Sequence, residues 1–552
     1  MITIRKYRVQ DIVPAMEIWD EVVRDGIAFP WGDSWNKIQF RTFGKKMKYY
    51  LTITIAILCS LTLSARSNKR GIGWDEGSQR MNATALRLLQ PGVAWIYNWS
   101  IRPQTELAGL RTEGGITFVP MCWNDWFDES ALRTYLTAHP ETRYLLGFNE
   151  PNFVDQAAMT PQKAAEAWPK LERIAEDFDL RLVAPALNFS STEVGGRVWG
   201  IYEWLDAFIE AYPTAHFDCL ALHGYMNWAS AIKWYAEEMF YKDLYDRTKT
   251  DVYGKYPHLV QYFDTYGKKP MMLTEFCAWN YDEYPWNLTE DFQIDQMTQK
   301  VQYLEQSDMV EGYAWFMANG RDNVNTSPFF RVFSNLTNTR LSDLGMVYVY
   351  MSDFDKSRYY AVGDTIAAKD YVDASTDEQA VRLRPTSDAE AVAPIDIAAL
   401  PKNGFATYQI EVPADSTYHL QLRANTLESA ANVRFRTKVD GRVVGGIRTL
   451  KPTAGEWQTL DYPITLKAGQ HTLELSNYAF NDLRLNWLRI YDETRVGIEQ
   501  LDMYEGQCAK GERVELWYDL SGRQVARPCK GFYIHKVVKP DGRQHSGTVY
   551  LH

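Results

Sequence analysis

The chain has 552 residues, more than one hydrophobic core usually serves, so two or three domains are expected. Its 46% hydrophobic and 23% charged residues are ordinary globular composition, and a formal charge of -11 without a Lys/Arg stripe excludes a nucleic-acid partner. The surplus is aromatic, 19 Trp and 34 Tyr, side chains on which flat sugar rings stack but which cores and interfaces also use.

Residues 1–46 include ITIRKYRVQDIVPAMEIWDEVVRDGIAFPW, which resembles the opening strand and helix of the GNAT acetyltransferase family. The resemblance stops before Trp35 and no acetyl-CoA loop follows, so acetyl transfer is rejected. Residues 45–65, KKMKYYLTITIAILCSLTLSA, have a cationic start, an apolar stretch from Tyr49 to Leu63, and small residues at Ser64 and Ala65. That is the pattern of a secretory signal peptide, shorter than the roughly 20 apolar residues of a membrane span. The expectation is a signal peptide over 47–65 starting at Met47, a misassigned fragment over 1–46, and a secreted, periplasmic or cell-surface protein without a membrane span after cleavage.

Over 66–350 short apolar runs alternate with longer amphipathic ones. The strand-like runs are GIGW (71–74), VAWIYNW (93–99), ITFVPMCW (116–123), YLLGFNE (144–150), RLVAPAL (181–187), DCLALHGY (218–225), MMLTEF (271–276) and VEGYAWF (310–316). Between them lie helical segments such as TPQKAAEAWPKLERIAEDF, with Thr160 as N-cap and Pro161 in the first turn, and EDFQIDQMTQKVQYLEQ, acidic where the helix dipole favours it. Eight strands alternating with helices predict a (β/α)8 TIM barrel, whose chemistry collects at the C-terminal ends of its strands.

Two of those ends carry a carboxylate. The fourth run finishes on Glu150 in GFNEP and the seventh reaches Glu275 in LTEF, on opposite sides of the barrel mouth. A charge ending an apolar run is costly to desolvate unless it has partners or a task. Two carboxylates across a cleft can cleave a glycosidic bond, and a separation within about 5.5 Å makes the reaction retaining. The same spacing is equally open to structural pairing with Arg143 or Arg321. Asp75, Glu76, Asp125 and Asp128 also follow strands and are expected to bind hydroxyls or cap helices.

The succession WIYNWS, FVPMCWN, YLLGFNEPN, LVAPAL, FDCLALHGY, LTEF and GYAWF resembles glycoside hydrolase family 128, whose members mostly act on β-1,3-glucans. The resemblance implies Glu150 as general acid/base, Glu275 as nucleophile, and Asn149 on the sugar 2-hydroxyl. It also implies His223 and Tyr225 beside the nucleophile, with a satisfied polar cluster as their alternative. Trp95, Trp99, Trp123, Trp126, Trp279 and Trp315 lie at or past strand ends; several are expected to be sugar platforms and some core. Gly224 departs from the family, which commonly has an aromatic there, and is expected to open space beside the site. Glu150 is expected to be kept neutral by apolar walls and Glu275 ionised by its donors.

Residues 351–360 read as a polar linker. From 361 to 493, runs such as FATYQIEV, TYHLQLRAN and LRLNWLRIYD predict an all-β sandwich. IAAKDYVD, STYHLQLRAN and FNDLRLNWLRIYD resemble family 6 and 35 carbohydrate-binding modules, which implies glycan contacts at Trp457 and Asn481. Their usual calcium-binding glutamates are replaced by Ala367 and Lys369, so an ammonium beside Asp370 or Asp492 is expected and no calcium. Residues 494–552, with VELWYDLSGRQV and KGFYIHKVVKPDGRQ, resemble the C-terminal sorting-type β tails of secreted Bacteroidetes proteins.

Cys122, Cys219 and Cys277 sit in apolar runs as small hydrophobes, and Cys508 with Cys529 is the one pair considered for a disulfide. No CxxC or HxxxH spacing occurs, so neither metal nor cofactor is expected. The expectation is a monomeric, secreted, retaining β-glucan hydrolase; the alternative is a glycan-binding protein with an inactive barrel.

Overall fold

The computed structural model describes residues 66–104, 115–279, 289–320, 330–334, 337–426, 433–478 and 481–492, and the backbone of three strands in 514–551. The acetyltransferase-like segment, the signal peptide, Arg321, Cys508 and Cys529 lie outside the described residues.

Eight parallel strands alternate with helices. They are β1 (Arg70–Gly73), β2 (Trp95–Tyr97), β3 (Thr117–Phe118), β4 (Tyr144–Leu146), β5 (Arg181–Val183), β6 (Leu220–Gly224), β7 (Met271–Phe276) and β8 (Val310–Trp315). The longer helices that follow the strands include α1 (Ala83–Leu89), α2 (Glu129–Ala138), α3 (Pro161–Asp177), α4 (Ile201–Ala211), α5 (Pro257–Tyr266), α6 (Glu290–Gln306) and α7 (Asp343–Tyr350). One sheet runs β3-β2-β1-β8-β7-β6, and β4 pairs with β5. Parallel bridges Met121–Leu146 and Val183–Cys219 connect that pair to the sheet on both sides, which makes the domain barrel-like.

Strand alternation sorts the side chains into two layers. Trp95, Tyr97, Val119, Met121, Leu146, Val183, Cys219, Ala221, Met272 and Ala314 pack together within the ring. Their neighbours, such as Ile96, Leu145, Leu182, Leu222 and Leu273, pack outward on the helices. Helix starts follow local chemistry: Thr160 accepts from the Lys163 amide at 3.3 Å with Pro161 in the first turn of α3, and Asp128 and Thr289 cap α2 and α6 in the same way. Cys122, Cys219 and Cys277 are buried free thiols, and burial pushes Cys219 up to about 12.

The segment expected to be a polar linker is pinned. The fully buried guanidinium of Arg70 donates to the carbonyls of Tyr348, Met351 and Ser352, and Ser352 Oγ donates to the Tyr371 carbonyl at 2.7 Å.

Beyond it two antiparallel sheets form a sandwich. Its strands are β9 (Arg382–Pro385), β10 (Ile395–Leu400), β11 (Phe405–Val412), β12 (Ser416–Asn425), β13 (Val433–Val439), β14 (Arg442–Leu450), β15 (Gln458–Leu466), β16 (Gly469–Asn477) and β17 (Leu483–Tyr491). One sheet has the order β11-β16-β13-β14 and the other β9-β10-β17-β12-β15, with short strands added to each. Lys369 donates to the Asp370 carboxylate, the contact expected in place of a calcium. Val514–Tyr518, Gly531–Val538 and Gln544–Leu551 form a separate three-stranded antiparallel sheet.

Candidate active site

At the C-terminal ends of the parallel strands lies a cleft of about 1010 Å³. Asn149, Glu150, Asn188, Tyr225, Glu275, Trp99, Trp123 and Trp279 all contribute to its lining. The strands deliver the polar groups directly. Glu150 follows β4, where its backbone enters the left-handed region at φ 41, a strained conformation for a side-chain-bearing residue. Its amide is held by the Ala186 carbonyl at 2.8 Å, and Glu275 lies within β7.

The two glutamates share a histidine. His223 Nδ1 stands 2.6 Å from Glu150 Oε1 and 3.4 Å from Glu275 Oε2, while its Nε2 meets Thr274 Oγ1 at 3.1 Å. Donors converge on Glu275: Trp99 Nε1 at 2.7 Å, Tyr97 OH at 3.3 Å, and the Tyr225 hydroxyl. Glu150 also accepts from Asn188 Nδ2 at 2.8 Å. One ligand-type atom from each of Glu150, His223 and Glu275 falls within 4.8 Å of the others. That spacing could also hold a metal ion, but N–H and O–H donors aimed at a carboxylate suit an anion, and a metal would have to displace them.

The acidities correct one expectation. Burial raises both carboxyls, but the charge that His223 carries when protonated, 2.6 Å away, outweighs it at Glu150, which ends below its ordinary value. Glu275 ends above its ordinary value, through burial and the Glu150 charge beside it, despite its donors. His223 is raised, because the attraction of both carboxylates outweighs its burial. The order is the reverse of a neutral Glu150 beside an ionised Glu275, since the histidine lies closer to Glu150 than the sequence could indicate.

Asn149 is buried, with its Nδ2 on Gln156 Oε1 at 3.2 Å and its Oδ1 without a protein partner. Trp123 and Trp279 are half-buried in the cleft wall, and Trp279 stacks on Phe330 with centroids 5.4 Å apart. Trp315 is a correction: it is 1% exposed, its indole N–H donates to the Phe330 carbonyl, and it has no open face for a sugar. Trp95 is likewise core, whereas Trp126 is 76% exposed.

Gly224 is a second correction. A Cβ there would meet Leu273, Ile232 and Tyr235 at 3.3–3.4 Å, on the outer, helix-facing side of β6. His223 and Tyr225 point inward and the residue between them points out, so Gly224 opens no space in the cleft.

The other acidic residues divide their roles. Glu76 is buried and accepts from Asn98 Nδ2 at 2.6 Å and the Gln104 amide at 2.7 Å. Asp75 lines the cleft and closes a turn onto Ser78, and Asp125 pairs with Lys163 at 3.2 Å. Sequence reasoning missed Tyr97, Asn188 and Thr274. Tyr97 and Thr274 lie inside runs identified as strands, and Asn188 one residue past its run, so the strand-end rule could have found them.

In the sandwich, Trp457 is half-buried with the Arg484 guanidinium 5.5 Å from its ring centre. Asn481 is half-buried and its carbonyl accepts from Asn477 Nδ2 at 2.7 Å.

Residues 71–348, half of the chain, match the family model for the glycosyl hydrolase catalytic core. Among solved structures, a family 128 (subgroup II) endo-β-1,3-glucanase from Pseudomonas viridiflava is 34% identical over 52% of this chain and 98% of that one, with a TM-score of 0.40. A subgroup II endo-β-1,3-glucanase from Sorangium cellulosum is 26% identical over 51% of this chain and 97% of that one, at 0.38. A subgroup I endo-β-1,3-glucanase from Amycolatopsis mediterranei, in complex with laminarihexaose, is 24% identical over 51% and 99%, at 0.35. No curated protein matches the chain.

Proposed function

The chain belongs to the glycosyl hydrolase catalytic core family, and from that premise we propose that it cleaves β-1,3-glucan by a retaining two-glutamate mechanism on a (β/α)8 barrel. The observation that carries the mechanism is the approach of Glu150 and Glu275 across the cleft: with His223, their facing atoms lie within 4.8 Å, in the range of retaining rather than inverting enzymes. The substrate class rests on the seven-motif series read along the second to eighth strands.

In the first step Glu275 attacks the anomeric carbon as Glu150 gives its proton to the departing glycosidic oxygen. The C–O bond breaks and a glycosyl ester forms on Glu275. In the second step Glu150 takes a proton from water, the water oxygen attacks the same carbon, and Glu275 leaves as a carboxylate. Trp99, Tyr97 and Tyr225 hold that carboxylate in line, and the free Oδ1 of Asn149 is available to a sugar hydroxyl.

The reaction needs a proton on Glu150 and none on Glu275, whereas Glu150 is shifted down and Glu275 up. His223 removes the difficulty. An imidazolium beside two carboxylates is a tautomer of neutral His223 beside protonated Glu150, so moving one proton across the 2.6 Å contact makes the acid without uptake from solvent. A sugar ring that excludes water from Glu150 favours its neutral form.

Reducing-sugar release from laminarin, compared with retention on insoluble β-1,3-glucan, tests the reading. Release is expected; retention without release would establish the inactive glycan-binding alternative. Export is part of the same proposal, and N-terminal mass spectrometry of the exported protein should find its first residue near Ser64 to Ser67. Glycan binding by the sandwich through Trp457 and Asn481, a sorting role for the tail, and a monomeric state complete it.

A further inference from the structure

Helix α6 has two polar faces, each engaged by a different part of the molecule. On one face Gln293, Gln296 and Lys300 follow at i, i+3 and i+7. Gln293 exchanges two hydrogen bonds with the backbone of Ala278 (2.7 and 3.2 Å), and Gln296 Oε1 accepts from the Ala229 amide at 2.6 Å. Lys300, fully buried, donates to the carbonyls of Met226 and Cys277, the latter at 3.2 Å. On the other face Asp291 and Asp295 pair with Arg384, Gln299 accepts from Asp377, and Gln302 and Gln306 bind Asp373.

The carbonyls held by Lys300 belong to chosen positions. Met226 follows Tyr225, and Cys277 lies two residues after Glu275. Pairing between β6 and β7 ends at His223–Glu275 and Gly224–Phe276, so the ammonium fastens the two chains just beyond their last ladder contact. Across that junction Tyr225 donates to Glu275. A buried amine is costly unless its protons find acceptors, and a methylene stem alone would fill the same space. Burial pushes Lys300 down to about 8, which leaves it charged at neutral pH.

We propose that Lys300 is a positioning residue for Glu275: its ammonium ties the ends of β6 and β7 together and thereby sets the line of the nucleophile and its Tyr225 partner. This rests on the reading of Glu275 as nucleophile. It places a determinant of turnover on a helix that never reaches the cleft.

The test uses the full-length protein as wild type, Lys300→Met, Gln293→Ala and Gln306→Ala, with laminarin as substrate. Lys300→Met keeps the stem and loses the donors; a displacement on the order of 1 Å at the nucleophile is expected to lower kcat about 100-fold with KM little changed. Gln306→Ala, which touches only the sandwich side, is expected to keep kcat. Amide hydrogen exchange over residues 226–228 and 276–279 should quicken in Lys300→Met. Wild-type kcat together with unchanged exchange would overturn the proposal. If Lys300→Met does not fold, Gln293→Ala replaces it and should show a smaller fall in kcat in the same direction; an unchanged kcat there would equally overturn it. If the wild type releases no sugar, the nucleophile reading fails instead, and the exchange comparison alone decides whether Lys300 holds the two loops.

Discussion

At the scale of single residues, Glu150 and Glu275 were legible because strand ends are where a barrel exposes chemistry, and a carboxylate after an apolar run stands out. Their acidities were not legible, because these depend on His223 lying nearer to one than to the other. Glu150→Gln and Glu275→Gln should each lower turnover on laminarin by several powers of ten while leaving the fold intact, as expected for groups used in the transition state; near-normal rates in either purified variant would remove that residue from the mechanism. Since Glu275 is the chief attraction that raises His223, Glu275→Gln should lower the pKa of His223, followed by its ring resonances in NMR. No downward movement would mean that the histidine does not bridge the pair. Far from the cleft, Asp396 is fully buried with Arg484 3.9 Å away, and burial pushes its carboxyl up to about 6. The folded protein therefore holds this proton more tightly than the unfolded chain. The resulting stability is present below the unfolded value near 4 and is lost as pH rises through about 6. A shift of about 2 units is worth about 3 kcal/mol, so Asp396→Asn should stabilise the protein by up to that amount at pH 7 and show little gain at pH 4. Urea melts at the two pH values decide it, and an equal effect at both would refute the account.

At the scale of elements, the apolar runs marked where strands would form because each must bury residues on two faces, one toward the ring and one toward the helices. Their extents were less legible. ITFVPMCW yields only Thr117–Phe118 as regular strand, with Met121 reduced to a single bridge to Leu146. A run of apolar residues also does not say which side each faces, and that is why Trp315, a large ring at a strand end, belongs to the core and Gly224 to the outer face of β6. The same close packing makes some small residues mandatory. At Gly345 in α7 a Cβ would lie 2.1 Å from the Val332 carbonyl oxygen, a backbone atom that cannot rotate away. Gly345→Ala should therefore cost about 1–3 kcal/mol, more than the helix propensity of alanine restores, and lower the Tm. A Tm at or above wild type would show that the chain accommodates the methyl group.

At the scale of the whole molecule, the change from alternating helices and strands to strands alone announced two kinds of domain, but their attachment could not be read. MSDFDKSRYY looks like a tether because it is polar. Its backbone is nonetheless gripped by Arg70, and Phe354 is buried, contacts made by residues almost 300 positions apart. Ending the protein at Tyr350 removes Arg384 from Asp291 and Asp295 and uncovers Gln299, Gln302 and Gln306 on α6. A Tm lowered by more than about 2 °C is expected, the shift that accompanies a loss of roughly 1 kcal/mol in a domain of this size; an unchanged melting curve would mean that the barrel-like domain does not need its neighbour. The two-sided bonding of α6 has a further consequence for how such proteins can be recombined. A cut between residues 350 and 361 looks like a seam in the sequence, yet the sandwich's matching contacts are on a helix some 50 residues earlier. Exchanging the sandwich for an unrelated one would leave that helix with a row of amides and carboxylates facing a stranger, so the exchangeable cassette begins at Glu290 and carries α6, β8 and α7 with it.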